Sequence, residues 1–303
     1  MRVLGLSAGN PNGSAEIALK EALRAAEASG ADIELVRLHD LRLSSGPDAG
    51  TDDTTWFWER LLACDGLIVS TPIYSRTIPG LLRLLGDKFS GPHSDVAFTA
   101  EIIRMRATGE TLAVDFAVDE RVLRPRVAGF IAVGGAIPTR WRSLALPLLH
   151  TLTTSAQIAV VDQLEIAGAG SQGSVLLDEP ALERAARVGS NVASQLGRPY
   201  DEAQYLGAPG LCPRCHLSVM LLDGSDVECA TCGAAGRLAV VDGEPTVQFS
   251  PEGLAQSVLD YREKLDHFRE VQQTAARHAE SRDWITTRVA EIATWDPRIH
   301  PDR

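Results

Sequence analysis

The feature that most constrains the fold is a fivefold alternation of strand-like apolar runs with helical patterns. The strand-like runs are Val3–Ser7, Asp32–Leu38, Gly66–Thr71, Val127–Val133 and Gln157–Asp162. The helical patterns that follow them are Ser14–Ala28, Thr54–Ala63, Ile78–Phe89, Ser143–Ser155 and Glu179–Leu196. Strands and helices that alternate in this way form right-handed βαβ units and a parallel sheet covered by helices on both faces. Residues 90–126 show no regular pattern.

The alternation predicts an α/β fold, with a doubly wound parallel sheet of five strands in the flavodoxin-like order 2-1-3-4-5. Sheets of this kind bind ligands beyond the carboxyl ends of their strands, at the point where the strand order reverses. The loops that follow the first, third and fourth strands should therefore meet at one ligand site.

The rest of the chain predicts two further units. We expect a flavodoxin-like domain over residues 1–197, a linker at 198–209, a small cysteine module over 210–248 and a helical extension over 251–303. In the extension, one long helix with a single apolar stripe is predicted by Leu254, Val258, Tyr261, Leu265 and Phe268. A second apolar stripe is predicted by Trp284, Ile285, Val289 and Ile292.

The loop after the first strand, GLSAGNPNGSAE at residues 5–16, is rich in Gly, Ser and Asn. It matches neither G-x-x-x-x-G-K-[ST] nor G-x-G-x-x-G, so it is neither a P-loop nor a dinucleotide fingerprint. It runs into a helix N-terminus, where short polar side chains and free N–H groups hold a phosphate well. The candidate phosphate ligands are Ser7, Asn10, Asn12, Gly13 and Ser14. Alternatively, Ser14 simply caps the helix and the loop binds nothing.

The loop after the third strand places Pro72, Ile73, Tyr74 and Ser75 at the predicted switch point. Pro72 and Pro79 stiffen it, because proline fixes its own backbone torsion. A rigid loop of this kind can hydrogen-bond the edge of a planar ring through its N–H groups while a side chain covers the ring face. The alternative is a surface loop with a packing tyrosine.

The first 196 residues resemble the NADPH-dependent FMN reductases and, in the same flavodoxin-like superfamily, the iron–sulfur flavoproteins. The resemblance rests on the Ser/Asn/Gly loop and on the stretch WERLLACDGLIVSTPIYSRTIPGLLRLLGDKFS, with its T-P-x-Y and G-x-L-x-x-x-x-D segments. A third matching element is the Gly-rich loop Gly134-Gly135-Ala136, which lies against the flavin in those families.

The resemblance implies a bound FMN and NAD(P)H as co-substrate. The FMN phosphate would lie on the first loop, and the ring would lie against Pro72–Ser75 and Gly134–Ala136. The chain departs from the family pattern in two ways. Asn10-Pro11-Asn12 stands where the phosphate loop of these families often carries an arginine. No cysteine occurs in residues 90–126, which excludes an iron–sulfur cluster at the place where those relatives hold one.

Four of the five cysteines form two C-x-x-C pairs, Cys212–Cys215 and Cys229–Cys232, separated by thirteen residues. Two such pairs supply four thiolates to one tetrahedral metal, and a hairpin with its turn at Asp223-Gly224 should connect them. We predict a zinc ribbon; iron is the less favoured metal, and a redox disulfide pair is the weaker alternative. Cys64, the fifth cysteine, ends an apolar helix and is expected to be a buried packing residue.

The net charge of −11 argues against a nucleic-acid partner, as do two arginines against five acidic residues in 210–248. The sequence lacks a secretory-signal pattern and an apolar run long enough to span a bilayer, so we expect a cytoplasmic protein without membrane contact. Flavodoxin-like reductases commonly pair, so the resemblance implies a homo-oligomer, a dimer or a tetramer.

Three functions remain open from the sequence. The favoured one is an FMN-dependent NAD(P)H oxidoreductase that passes hydride to flavin N5 and then to a small aromatic or quinone-like acceptor. No side chain is required for hydride transfer, so no catalytic residue is assigned. The alternatives are a flavodoxin-like electron carrier and a non-enzymatic scaffold that binds another protein. His150 is expected to be structural rather than a proton donor. The arginines at 121, 124, 126, 140 and 142, with Trp141, either line the site or belong to the surface.

Overall fold

The computed structural model describes residues 1–44 and 52–299, and its first half is built on a parallel five-stranded sheet. The strands lie in the order β2-β1-β3-β4-β5, which confirms the predicted flavodoxin-like order. Their bounds are β1 (Arg2–Ser7), β2 (Asp32–Arg37), β3 (Gly66–Pro72), β4 (Val127–Val133) and β5 (Ala159–Ile166). All of β4 is buried, as expected of a central strand covered on both faces.

Six α-helices lie between the strands or after β5 in the described part of the chain, and all of them except α4 pack on the sheet. They are α1 (Ser14–Ala28), α2 (Thr54–Ala63), α3 (Gly80–Phe89), α4 (Val96–Thr108), α5 (Ala145–His150) and α6 (Glu179–Gln195). Helices α1 and α6 pack together on one face, so closely that a Cβ atom on Gly189 would lie 1.7 Å from the carbonyl oxygen of Ala22. Helices α2, α3 and α5 cover the other face. Residues 45–51, in a stretch rich in Gly, Ser and Asp between β2 and α2, lie outside the described residues.

Helix α4 lies in the segment for which the sequence predicted no regular structure. Asp95 caps it by accepting hydrogen bonds from the N–H groups of Ala97 and Phe98. Its buried residues are the four consecutive residues Val96–Thr99 and Ile102. The sequence of this helix therefore lacks an apolar stripe with a period of 3.6 residues. Helix α5 is shorter than predicted, because the chain from Thr151 to Gln157 forms turns before β5 begins.

The cysteine module is an antiparallel sheet of four strands in sequence order. These are β6 (Met220–Asp223), β7 (Asp226–Cys229), β8 (Ala235–Val241) and β9 (Glu244–Phe249). A hairpin does connect the two C-x-x-C pairs, but its turn lies at Gly224-Ser225, one residue beyond the predicted position. The second hairpin was not predicted, although Asp242-Gly243, both with positive φ, is a strong turn signal.

The C-terminal extension consists of α7 (Pro251–Ala255), α8 (Tyr261–Glu280) and α9 (Arg282–Ala293). The prediction of one long helix with a single apolar stripe is wrong. Helix α7 ends at Ala255, and a separate helix, α8, begins after its N-cap residue Asp260. Phe268 of the stripe is buried against Phe98 of α4, whereas Val258 and Tyr261 are exposed. Every residue of α9 is exposed, including the second predicted stripe.

The ribbon and the extension contact the first half of the chain through specific polar bonds. The Gln163 side chain of β5 donates to the Cys215 carbonyl oxygen at 2.9 Å. Lys264 of α8 is buried and donates to the Thr154 carbonyl oxygen at 2.6 Å. Leu254 and Leu259 of the extension pack with the four cysteines in one apolar cluster. The proposed boundary near residue 250 therefore separates two segments that share a core. Within 1–44 and 52–299, no helix is long and apolar enough to span a membrane.

Candidate functional site

A cavity of about 170 Å³ lies at the carboxyl edge of the parallel sheet, where the strand order reverses. Four loops line it, those after β1, β3, β4 and β5. Of the residues singled out in the sequence, seven line this cavity: Asn10, Gly13, Ser14, Pro72, Ile73, Tyr74 and Gly135. The other five, Ser7, Asn12, Ser75, Gly134 and Ala136, belong to the same loops but do not line it.

The loop after β1 ends at a helix N-terminus that has no side-chain cap. Gly13 is the N-cap of α1, and Ser14 is already the first helical residue, so Ser14 does not cap the helix as the alternative interpretation held. The Ser14 hydroxyl instead donates to the Ser171 carbonyl oxygen at 3.0 Å. The first hydrogen bond of the helix runs from Ile17 N–H to the Gly13 carbonyl oxygen. Among the described residues, the N–H groups of the first turn therefore have no partner and can bind a ligand.

Two basic side chains lie behind this helix N-terminus, where the sequence showed only Asn10-Pro11-Asn12. The buried carboxylate of Glu16 accepts two hydrogen bonds from Arg37, at 2.8 and 2.9 Å, and lies 2.7 Å from the Lys20 ammonium. The hydrogen bonds from Arg37 and the nearby Lys20 lower the pKa of Glu16 to about 2. The Asp40 carboxylate also interacts with Arg37, so two cations and two carboxylates lie together beside the loop.

The loop after β3 contains a strained two-residue turn. Tyr74 and Thr77 exchange backbone hydrogen bonds of 2.9 Å, and the residues between them, Ser75 and Arg76, have φ values of 47° and 76°. Non-glycine residues in the left-handed region cost on the order of 1 kcal/mol each, so surrounding contacts must hold them there. The Arg76 guanidinium donates to the Ser143 hydroxyl at 3.0 Å and supplies one such contact. Tyr74 itself is 53% exposed.

Arg142 supports the Gly-rich loop after β4. Its guanidinium donates to the Ala136 carbonyl oxygen at 2.7 Å and to the Glu165 carboxylate at 2.8 Å. Arg142 is buried, and its side chain passes so close to Gly134 that a Cβ there would lie 2.8 Å from Arg142 Cδ. The sequence left open whether Arg142 lines the site or lies on the surface, and the surface position is wrong for Arg142. Its neighbour Trp141 is half-exposed.

The loop after β5 also lines the cavity, although it was not predicted from the sequence. Ala169, Gly170, Ser171 and Gln172 form this wall. A Cβ atom on Gly135 would lie 2.9 Å from the Cα atom of Gly170, so the loops after β4 and β5 touch through two glycines. The sequence does contain a signal for this loop, the glycine-rich run AGAGSQGS directly after β5. It was overlooked because the predicted strand ended at Asp162, four residues before the observed end of β5.

The four cysteines of the ribbon converge as predicted. Their Sγ atoms all lie within 4.8 Å of one another, and the side chains are buried. The Cys212–Cys232 and Cys215–Cys229 sulfur pairs are 3.6 and 3.4 Å apart, and the four cysteines are free thiols rather than disulfides. A tetrahedral metal with bonds of about 2.3 Å requires sulfurs about 3.8 Å apart, so the cluster could hold a metal ion with little adjustment.

The remaining candidates lie away from the carboxyl edge. Cys64 is a buried residue, as predicted, and burial raises the pKa of its thiol to about 12. The His150 Nε2 atom lies 2.9 Å from Gln163 Oε1, and burial lowers the pKa of His150 to about 4, so a structural role fits it. Arg126 is buried at the amino end of β4 and donates to carbonyl oxygens, including that of Leu62 at 2.7 Å. It precedes β4, so it does not line the cavity mouth.

Comparison with known proteins agrees with this geometry. A family model described as NADPH-dependent FMN reductase matches residues 1–163. The chain is 35% identical over 295 residues to flavone synthase cfoJ of Aspergillus candidus. This match covers 90% of this chain and 89% of that protein. A solved structure described as flavone reductase covers all of both chains with a TM-score of 0.83 and 27% identity. The chain therefore belongs to the NADPH-dependent FMN reductase family and is an NAD(P)H-dependent oxidoreductase.

Proposed function

We propose that the protein is an FMN-dependent NAD(P)H oxidoreductase whose acceptor is a flavone-type compound, an aromatic ketone with a conjugated C=C bond. One observation carries this choice. The family model ends at residue 163, whereas the flavone synthase and flavone reductase relatives match the ribbon and the extension as well. The segments that distinguish this chain from a minimal FMN reductase are thus shared with two proteins named for flavones.

The residues at the carboxyl edge fit an FMN molecule. The N–H groups of the first turn of α1 suit a phosphate, because they have no partner among the described residues. The Ser7 hydroxyl is buried without a hydrogen-bond partner among the described residues, but it does not line the cavity and therefore does not support a ligand there. The glycine contact between Gly135 and Gly170 leaves a flat wall for a planar ring.

Bound FMN would supply hydride acceptance and donation at its ring nitrogen N5. The chain would orient the ring edge through the backbone of the Pro72–Ser75 loop, while Arg142 holds the opposite wall in place. Tyr74 is exposed at the mouth and would cover an aromatic acceptor. The overall reaction consumes NAD(P)H and one proton, and it reduces the C=C bond of the acceptor to C–C.

A homo-oligomer would complete this site. The cavity is smaller than the roughly 300 Å³ of an ordinary ligand pocket, so one chain would leave part of the flavin uncovered. Large apolar side chains are exposed in the connections after β4 and β5, two of the four that contribute to the cavity wall, with Ile137 at 76% and Leu177 at 90%. A second copy of the chain that buries them would close the site. Light scattering should then report a dimer or tetramer for the wild-type protein and a monomer for Leu177→Asp.

The metal of the ribbon is proposed to be zinc, in a structural role. Closed four-cysteine sites of this form are typical of structural zinc, and the cluster leaves no open coordination position. Elemental analysis of the purified protein should find about one zinc ion per chain. Absorption bands from iron–thiolate bonds would contradict this assignment.

The acceptor is tested by anaerobic turnover with FMN-loaded protein. With NADPH or NADH in excess, a flavone should be converted into the corresponding flavanone, detected by chromatography. Menadione serves as a general quinone acceptor in a parallel reaction. Reduction of menadione without conversion of the flavone would reject the proposed acceptor and leave the reductase activity intact. Tyr74→Ala should raise KM for the flavone more than it raises KM for NADPH.

A further inference from the structure

Two exposed arginines lie beside the FMN-side cavity, on the loops after β3 and β4 that contribute to its wall. They are Arg76, in the turn after β3, and Arg140, in the connection after β4. Neither forms an ion pair within the described part of the chain, whereas the buried Arg142 nearby is paired with Glu165. Because the whole chain has a net charge of −11, two unpaired arginines on adjoining loops are a local exception.

The two arginines lie on segments that contact each other directly. The Arg76 guanidinium donates to the Ser143 hydroxyl at 3.0 Å, and the Leu144 N–H donates to the Arg76 carbonyl oxygen at 3.2 Å. Arg140 precedes Ser143 by three residues, in the short 3-10 helix Thr139–Trp141. The Arg76 guanidinium is therefore held against the segment that carries Arg140. Among the described residues, the other N–H groups of its fork remain available to a ligand.

The backbone at Arg76 is strained, and this strain supports a functional role for its side chain. Its φ of 76° lies in the left-handed region, which glycine adopts without cost and other residues adopt only at a cost. Residues held in this region against their preference concentrate at binding and active sites. The chain thus carries an arginine at a position where its fold penalises any side chain.

The components of the proposed reaction leave one anion for these two arginines. The FMN phosphate is assigned to the first turn of α1, and a flavone-type acceptor is neutral, so NAD(P)H is the anionic component without assigned residues. The 2′-phosphate of NADPH lies next to the adenine base. The half-exposed ring of Trp141, which follows Arg140 in the chain, suits stacking on such a base. The diphosphate is common to NADH and NADPH, so contacts with it would not distinguish the two.

We propose that Arg76 and Arg140 bind the 2′-phosphate of NADPH and make the protein prefer NADPH over NADH. Arginine suits this role because its planar fork can donate two hydrogen bonds to one phosphate. The proposal rests on the proposed reductase function, in which the co-substrate is NAD(P)H without a choice between the two forms. It adds the residues that make this choice.

The binding test uses two nucleotides, 2′,5′-ADP and 5′-AMP, titrated by calorimetry into the FMN-loaded full-length protein. They differ only in the 2′-phosphate. We expect 2′,5′-ADP to bind at least tenfold more tightly, and Arg76→Met and Arg140→Met each to reduce this difference. Arg187→Met is the matched control and should preserve the difference, because Arg187 is an exposed arginine of α6 without an ion pair among the described residues. An equal loss in Arg187→Met would indicate a general effect of charge and would overturn the proposal.

The kinetic test measures kcat/KM for NADPH and for NADH with menadione as the acceptor. The double variant Arg76→Met/Arg140→Met should lose at least tenfold in kcat/KM for NADPH, with little change for NADH. An equal loss for both would assign the arginines to the diphosphate and overturn the proposal, as would equal binding of 2′,5′-ADP and 5′-AMP to the wild-type protein. Menadione reduction without a preference for NADPH would also overturn it and leave the reductase function intact. If neither NADPH nor NADH is oxidised, the reductase function fails, and the calorimetric comparison alone decides the role of the two arginines.

Discussion

The two candidate cofactor sites are constructed from different parts of the polypeptide. The four-cysteine site consists of side chains that lie within 21 residues of sequence, on two tight knuckles. The FMN-side cavity collects four loops between Gly9 and Gln172, and much of its wall is backbone and glycine. The first site therefore depends on the identity of four side chains, and the second depends on the shape and spacing of the loops.

This difference predicts how each site fails. A site built from metal ligands should lose its ion when one ligand is replaced, however conservative the replacement is. A site built from backbone should tolerate polar side-chain changes, and it should be damaged by any added atom that pushes two loops apart. The four predictions below test the two halves of this statement, from the largest expected effect to the smallest.

The largest effect is expected from Cys229→Ser in the ribbon. Structural zinc contributes on the order of 10 kcal/mol to the folded state of small zinc domains, so loss of one thiolate should release the ion and unfold the ribbon. Elemental analysis should show the loss of bound metal, and hydrogen exchange should show an unprotected segment over 210–249. Retention of metal at the wild-type level would contradict the assignment of Cys229 as a ligand.

Cys64→Ser is the control for this experiment, because it makes the same chemical change at a buried cysteine outside the cluster. The Cys64 thiol donates to the Leu61 carbonyl oxygen at 3.2 Å, and a serine hydroxyl can make the same bond. We expect an unchanged metal content and a loss of stability of no more than about 2 kcal/mol.

The second prediction concerns Gly135→Ala at the FMN-side cavity. The added Cβ would meet the Gly170 Cα atom at 2.9 Å, and backbone cannot move aside as a side chain can. Forced shifts of this kind cost about 1–3 kcal/mol, and the two loops should separate where the flavin ring lies. We expect FMN affinity, measured by flavin fluorescence, to fall at least tenfold, while ribbon metal content is unchanged.

Gly80→Ala is the matched control, because no described atom outside its chain neighbours and its own helix backbone lies within 4 Å of the added Cβ. Gly80 is the first residue of α3, where alanine should raise stability by up to about 1 kcal/mol. An equal loss of FMN affinity in the two variants would mean that the effect of Gly135→Ala is not caused by the contact with Gly170.

The same difference explains how far the sequence could be interpreted. The C-x-x-C pairs predicted the cysteine cluster outright, because a local motif fixes its own geometry. The sheet order followed from periodicity, and topology then placed three of the four cavity loops together. The loop after β5 was missed because strand ends are poorly marked in sequence. The support that Arg142 gives to the Gly134–Ala136 loop rests on long-range packing, for which no short pattern exists.

The third prediction concerns the charge behind the phosphate loop. The pKa of Glu16 is lowered from 4.5 to about 2, so its ion pair stabilises the fold above about pH 4.5 and this contribution disappears as pH falls towards 2. Arg37→Met should lower the free energy of unfolding near neutral pH and should weaken its dependence on pH in the acid range. Denaturant midpoints measured between about pH 3 and pH 7 provide the test.

Arg24→Met, on the helix that carries Glu16, is the control for Arg37→Met. Arg24 pairs with Glu21 at 3.0 Å but is largely exposed, so its removal should change stability by less than about 0.5 kcal/mol at any pH. The same variant, Arg37→Met, also tests whether this charge contributes to ligand binding. If Arg37 contributes to phosphate binding through its charge, Arg37→Met lowers FMN affinity several-fold, whereas it does not change binding of riboflavin, which lacks the phosphate.

The smallest effect is expected from Ser75→Asn in the strained turn after β3. Ser75 has a φ of 47°, and asparagine occupies this left-handed region more readily than serine, so stability should rise by about 0.5 kcal/mol. Ser90→Asn, at a residue with a φ of −84°, should bring no such gain. Because the loop is proposed to bind the ring edge through its backbone, Ser75→Asn should also leave FMN affinity within about twofold of the wild type. A tenfold loss would show that the Ser75 hydroxyl itself binds the flavin. In that case, this part of the FMN-side cavity would depend on side-chain identity in the same way as the cysteine cluster.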